Sequence, residues 1–412
     1  MKRRFLFTLF TAHFAALALC LLPSLSARAQ SQTTVVDQFS LYAGQESVAI
    51  SITRDPTGNL YTAGYSKIPP AGASIVYYPT WVVRKSADGG VTWNTVDTPT
   101  LSPPGKQSIA ESVIADAFGN IYVSGSAHDS SNVSHAYIRK SADAGATWAT
   151  VMNFNYVAGY FTNAKEMGID NLGNLYVAGY GKTKRDGVFG LVRRSANQGA
   201  TWTTVDAFQM VAKQRAEATA IATDPVTGAV YVTGMAQNSA GVPKQIVRKS
   251  TNGGLSFTLL ASSPFSLVGG TNTVPTSITV DGSGRVFTAA NAMDSAGVSH
   301  AVIRRSVDGG ATFTTVSDYQ LQAGYHSGNA SIIVNSVGQI LAGGHGTTPS
   351  DTHAIVRVSS DGGNTWYLYD DFMPAGSSKN SVMGLVDLNG TLYGSGPISD
   401  AAGVRIWAAF KY

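Results

Sequence analysis

Four glutamates, Glu46, Glu111, Glu166 and Glu217, recur at regular intervals at or just before short apolar runs. Two carboxyl groups facing one another across a cleft can serve as acid and base on a glycosidic bond. Glu166 and Glu217 are the candidate pair for that chemistry. Four glutamates at similar places in successive units equally fit hydrogen bonding between units, and spacing alone gives no carboxyl separation. A basic cluster stands out next: Lys182, Lys184 and Arg185 in one connection, Lys213 and Arg215 in the following one. Such a cluster can focus an anionic ligand, for example a uronate or a sulfated sugar. It can also be a solvated pair of charged loops. Tyr160, Tyr325 and His326 follow Ala158-Gly159 and Ala323-Gly324 at matching offsets, where rings can stack on sugars or pack into a core. His135, His300 and His353 share one repeated slot and read as structural. The other histidines lack metal-ligand spacing, and there is no nucleophile elbow or phosphate-binding glycine loop. No metal and no cofactor is expected.

The elements that must position these residues come from an internal repeat. Six turns of the form Ser-x-Asp/Asn-x-Gly-x-Thr/Ser-Trp/Phe begin at Ser86, Ser141, Ser195, Ser250, Ser306 and Ser359, spaced by 55, 54, 55, 56 and 53 residues. Their third positions are Asp88, Asp143, Asn197, Asn252, Asp308 and Asp361. Side-chain oxygens at that position can accept from nearby backbone N–H groups, and glycine supplies the turn conformation. A second turn recurs seven times, as Asp55-Pro-Thr-Gly58-Asn-Leu-Tyr61, Asp116-Ala-Phe-Gly119-Asn-Ile-Tyr122 and Asp170-Asn-Leu-Gly173-Asn-Leu-Tyr176, with looser copies at Gly228, Gly284, Gly338 and Gly390. Each joins two runs of alternating polarity. One unit is therefore four strands, A to D, with the Ser-x-Asp box between C and D.

The seventh unit ends before a box. Thr33-Thr-Val-Val-Asp37-Gln-Phe39 resembles the D segment Thr203-Thr-Val-Asp206-Ala-Phe208 and can complete it. The predicted fold is all-β: a seven-bladed β-propeller of four-stranded blades, closed by the N-terminal strand. The longest insertion, Lys67 to Thr80 with Pro69, Pro70, Tyr77 and Tyr78, can lean over one mouth of the ring. Seven arginines, Arg84, Arg139, Arg193, Arg248, Arg304, Arg357 and Arg405, read as one slot at the end of strand C, suited to blade-to-blade packing.

Residues 1–29 read as a signal peptide: Lys2, Arg3 and Arg4, an apolar run to Leu22, then Ala27-Arg28-Ala29. Residues 30–412 form the propeller. Cys20, the only cysteine, leaves with the leader, so no disulfide is expected. Leu19 stands where a lipobox needs a small residue. The chain has 29 Lys+Arg and 25 Asp+Glu, and the leader takes four basic residues with it, leaving 25 of each. That balance supports neither nucleic-acid nor membrane binding, and no later apolar run reaches the ~20 residues of a span.

The box repeat resembles that of the Asp-box, or bacterial neuraminidase repeat, propellers of the sialidase-like superfamily. The resemblance implies a ligand face opposite the boxes, lined here by the D–A and B–C connections. It also implies, for a sialidase, three arginines on the substrate carboxylate, a Tyr–Glu nucleophile pair and an Asp acid/base. No aromatic-Arg-Ile-Pro motif is found early in the chain, and only Arg185 and Arg215 remain for the mouth, one short of the three. The expectation is thus a secreted or periplasmic, monomeric, non-catalytic propeller that binds a glycan or an extracellular protein through its loop face. The alternatives are a sialidase-like glycoside hydrolase or lyase acting on an acidic sugar, with Arg215 as anchor, and a structural envelope protein.

Overall fold

The computed structural model describes residues 33–69, 77–261, 263–267 and 269–412. The leader proposed for residues 1–29 and Pro70 of the long insertion lie outside the described residues. Twenty-eight strands form seven four-stranded sheets arranged as blades. Blade 1 comprises β2 (Ser47–Arg54), β3 (Leu60–Ile68), β4 (Tyr78–Ser86) and β5 (Asn94–Asp97). Blades 2 to 6 repeat the order. Blade 7 takes β26 (Gly384–Leu388), β27 (Thr391–Ser399) and β28 (Arg405–Lys411) from the C-terminus and β1 (Thr34–Phe39) from the N-terminus. β1 pairs antiparallel with β28, Thr34 opposite Lys411 and Phe39 opposite Trp407. The ring therefore closes as expected.

Local chemistry fixes the turns. Asp55 Oδ1 accepts from the N–H groups of Thr57 and Asn59, at 2.9 and 3.0 Å, while Gly58 takes a φ of 92° that a side chain would strain. In the first box, Ser86 Oγ donates to Asp88 Oδ1 and accepts from Gly90 N–H, both at 2.8 Å, and Asp88 Oδ1 accepts from Thr92 N–H at 2.9 Å. These donors, the Thr92 hydroxyl foremost, pull the exposed Asp88 carboxyl down to about 2.

Cores lie in the seams between blades. One unites Tyr61, Trp81 and Val83 of blade 1 with Ala110, Val113, Ile121 and Val123 of blade 2. Each aliphatic side chain buried there contributes about 1.5–3 kcal/mol. Polar links repeat across the same seams. An aspartate near the end of one blade's D strand meets the C-strand arginine of the next: Asp37 with Arg84 at 2.7 Å, Asp97 with Arg139 at 2.7 Å, Asp206 with Arg248 at 2.5 Å. Strand-B tyrosines donate to the following blade's box: Tyr61 to Ala144 O at 3.0 Å, Tyr176 to Gly253 O at 3.0 Å, and Tyr393 to Gly89 O at 2.8 Å.

The arginine slot needs one correction. Tyr393 lies opposite Lys411 just as Tyr61 lies opposite Lys85, so Phe410 occupies the slot of Arg84 in blade 7. Arg405 opens β28 opposite Ser399, at the other end of the strand. The slot thus holds six arginines, and Arg405 belongs to the loop rim opposite the boxes.

Candidate functional site

The innermost strands of all seven blades enclose a central channel of about 750 Å³. Because the strands in each blade alternate in direction, the A–B turns and boxes share one rim, and the B–C and D–A connections share the other. Most of the channel wall is apolar or hydroxylated. Ile50, Thr219, Thr276 and Ala330 hold the place that Glu111 takes in β6 (Ser108–Ala115) of blade 2 and Lys165 takes in β10 (Thr162–Ile169) of blade 3. At that position, among the blades compared, charge is confined to blades 2 and 3.

The charges there belong to an arc of ion pairs. Lys165 Nζ lies 2.7 Å from Glu111 Oε1, and Arg215 Nε lies 2.5 Å from Glu217 Oε1. At the junction of blades 7 and 1, Arg405 Nη2 lies 2.9 Å from Glu46 Oε1, Lys67 Nζ lies 3.5 Å from Glu46 Oε2, and the Tyr65 hydroxyl donates to Glu46. Tyr65 and Tyr180 link the pairs electrostatically: the field of Glu111 reaches both, and Lys165 and Glu217 act on Tyr180. Burial would raise the Glu46 carboxyl, but the Tyr65 hydroxyl with Arg405 and Lys67 holds it below its ordinary value. Burial opposes the charge on Lys165, yet Glu111, together with Tyr180 and Glu217, raises the amine above its ordinary value. Burial raises the Tyr180 phenol.

Exposure within the arc is one-sided. The side chains of Arg405, Arg215, Lys67 and Lys165 are 33–47% exposed, whereas those of Glu46, Glu111 and Glu217 are only 16–21% exposed.

The basic connections lie beside this arc. Gln209 Nε2 donates to Asp186 O at 2.6 Å and to Val188 O at 3.2 Å, and Gln209 Oε1 accepts from Lys213 N–H at 3.0 Å. The two loops touch so closely that a Cβ on Gly187 would sit 2.8 Å from Lys213 O. Lys182 lies over the Phe161 ring at 5.9 Å and Arg215 over the Tyr180 ring at 5.6 Å, and the two rings meet edge to face at 6.1 Å. Lys184 and Arg185 are exposed on the loop tip, and Tyr160 is half-buried. Tyr325 and His326 belong to blade 6, where His326 Nδ1 accepts from Ser299 N–H at 3.0 Å. Nothing joins them to the arc.

The glutamates do not share one position. Glu46 precedes β2, Glu111 is the fourth residue of β6, Glu166 the fifth of β10, and Glu217 the second of β14 (Ala216–Thr223). Glu166 occupies the place of Ser51 and Ser112, whose hydroxyls accept from Val113 N–H and Met167 N–H of the next blade. Its carboxylate likewise accepts from the backbone of Ile221, and burial pushes it up to about 8. Glu166 thus faces the seam between blades 3 and 4 at the channel wall, while Glu217 sits at the mouth against Arg215.

Lys67, Tyr65, Lys165, Tyr180 and Arg405 were not assigned to the site by sequence reasoning. Lys165 carried a visible signal, a charge at an inner-strand position that is hydroxylated or aliphatic in most other blades. Arg405 was assigned to the opposite rim, so the loop rim has Arg185, Arg215 and Arg405, although each of the latter two is paired to a separate glutamate. His135, His300 and His353 lean on Asn153, Asp318 and Asp371 of the neighbouring D strands, in keeping with a structural slot. Among the described residues no group of three His, Cys, Asp or Glu could hold a metal ion, and no helix is long and apolar enough to cross a membrane.

No protein-family model matches the chain, and no curated protein matches it. Solved structures do share its architecture. A PL25-family ulvan lyase superposes with a TM-score of 0.60 at 12% identity over 90% of this chain and 96% of that one. An α-L-arabinanase of Penicillium chrysogenum gives 0.52 at 12% identity over 92% and 97%. A Trypanosoma rangeli sialidase gives 0.51 at 10% identity over 89% of this chain and 55% of that one. The likeness is one of fold: these carbohydrate-active enzymes share the propeller architecture.

Proposed function

We propose that this protein acts on an acidic polysaccharide, whose carboxylate or sulfate group it takes at the channel mouth of blades 1 to 4. The observation that carries this reading is the unequal exposure within the arc, where each cation is more exposed than its carboxylate partner. Lys165 and Arg215 would hold the anionic group, and Phe161 with Tyr180 would offer ring faces and edges to the sugar. Lys182, Lys184, Arg185 and Lys213 would raise the local concentration of the polyanion. That an ulvan lyase, an arabinanase and a sialidase share the architecture supports a saccharide at the level of fold.

Glu217 and Glu111, the partners of Arg215 and Lys165, would be the carboxylates nearest such a ligand, with Glu217 the candidate proton acceptor. Glu166, turned to the seam, would act only from behind the arc. A second reading is recognition without turnover, and one observation favours it: every mouth carboxylate in the arc already has a cation partner.

The test is incubation of the purified protein with ulvan, polygalacturonate, alginate and sialosides, following reducing ends and the ultraviolet absorbance of unsaturated uronyl ends. Turnover that falls at least ~10-fold in Lys165→Met and Arg215→Ala would support the enzymatic reading. Binding without turnover, weakened by the same variants, would support the second. Neither binding nor turnover across the panel would overturn both.

A further inference from the structure

A second concavity opens on the same rim, between the facing ends of β3 and β4 and the connection from blade 1 to blade 2. It measures about 500 Å³ and is walled by Leu41, Pro69, Tyr78, Leu101, Pro103 and Lys106, within the ~300–1,000 Å³ typical of ligand sites. Among the described residues, Lys106 is the only charged one that lines it. The wall is firm. Prolines fix the backbone of the connection, Lys106 N–H donates to Pro103 O at 3.1 Å, and Ser102 Oγ donates to Gln107 O at 2.8 Å. The Tyr78 ring lies alongside Gly105, whose φ of 78° lets the chain turn there. Tyr42 and Tyr77 add a second aromatic pair at 5.7 Å beside it.

The concavity neighbours the arc along the chain. Lys67, whose amine reaches Glu46, is followed directly by Ile68 and Pro69 of the groove wall. Ser108, at the groove's inner edge, begins the strand that carries Glu111. Apolar and aromatic walls with scattered hydroxyls (Thr80, Thr98, Thr100) suit the flat faces and hydroxyls of pyranose rings. Among the described residues no carboxylate lines it.

We propose that this groove is a second saccharide subsite, holding the sugar units that continue from the acidic unit bound at the arc. The proposal rests on the reading of the arc as an acidic-sugar site. It makes the protein selective for chains over single residues: the walls are preformed, so each further unit adds contact with little ordering cost.

The experiment is calorimetric titration of the full chain with galacturonate and heparin-derived oligosaccharides, each as disaccharide and as octasaccharide. Wild type is expected to bind one octasaccharide at least ~10-fold more tightly than its disaccharide, about 1.4 kcal/mol. Thr100 is exposed, so Thr100→Trp fills the groove from its open side without touching the arc. It should abolish the length dependence and leave disaccharide affinity unchanged, and Lys106→Ala should reduce it. Circular dichroism and Tm matching wild type exclude misfolding. Length dependence that survives both variants, or that is absent in wild type while the disaccharide binds, would overturn the subsite and leave the arc standing. Failure of every probe to bind would overturn the arc reading and the subsite with it.

Discussion

Glu166 replaces a seam serine with a group that can carry charge. Burial holds its carboxyl at about 8, and the one Ile221 N–H it accepts is not enough to reverse the shift. Between the ordinary carboxylate value and about 8, the folded protein keeps a proton that the unfolded chain has released. Stability contributed by the neutral acid is therefore complete at low pH and is lost as pH rises through that window, levelling off above about 8. Glu166→Gln should remove this slope and raise stability near pH 8, by on the order of 3 kcal/mol. Urea midpoints of both proteins from about pH 5 to 9 test it: parallel curves would show that Glu166 is not buried as described. Position in the sequence marks Glu166 as unusual, yet nothing in the sequence tells whether it faces lumen or seam. A β-bulge between Ala164 and Met167 settles that, because an extra residue there turns the side chains that follow it. Lys165 carried the same kind of signal as Glu166, a charge at an inner-strand place that is neutral in blades 1, 4, 5 and 6. Its partner Glu111 lies one blade away and was read as part of a separate pattern.

Seams are the elements on which the ring depends, and their ion pairs are finely balanced. Burial lifts Asp37, Asp97 and Asp206 above the usual carboxylate range despite an arginine at each. Desolvation thus outweighs attraction, as is common for buried pairs. Removing one partner is costly all the same, because the other is left charged and alone. Asp97→Ala is expected to lose about 3–5 kcal/mol, whereas Asp97→Leu combined with Arg139→Leu should recover most of it. Equal losses in the single and double variants, by urea denaturation, would show that the pair contributes more than its geometry implies. Where the aspartate is missing, Met152 and Ser317 stand in its place, and burial lowers Arg193 and Arg357 to about 10. The arginine slot could be seen in the sequence because it repeats. Its partners could not, since the pairing joins the fourth strand of one unit to the third of the next. Arg405 was misplaced because β28 runs on past Trp407 to Lys411, so the Arg-x-Trp pattern marks the beginning of the strand and not its end.

At the scale of the molecule, closure rests on a six-residue strand. β1 supplies the outer edge of blade 7, sets Asp37 against Arg84, and packs Phe39 edge-on to Trp407 at 6.1 Å. Deleting residues 33–39 should leave six blades with their internal pairing but open the seam between blades 7 and 1. The expected result is a lower Tm and loss of a single cooperative transition, followed by Trp fluorescence and circular dichroism together. A coincident transition at the wild-type Tm would mean that the ring holds without the strand. The repeat made blade number and closure legible before any coordinates, because each blade repeats the same turn chemistry. The ligand site was less so, since a site on a ring is made of exceptions to the repeat, and two of its members come from opposite ends of the chain.

The pairing of Thr34 with Lys411 also sets a schedule. A ribosome makes β1 first and its partner last, so at roughly 5–20 residues per second the strand waits on the order of tens of seconds for its place. An unpaired strand edge invites pairing with a neighbouring nascent chain. β1 carries a carboxylate in its middle, and charges at such positions discourage that association. Asp37, an ion-pair partner in the finished ring, is therefore also a safeguard during synthesis, against aggregation before the ring exists.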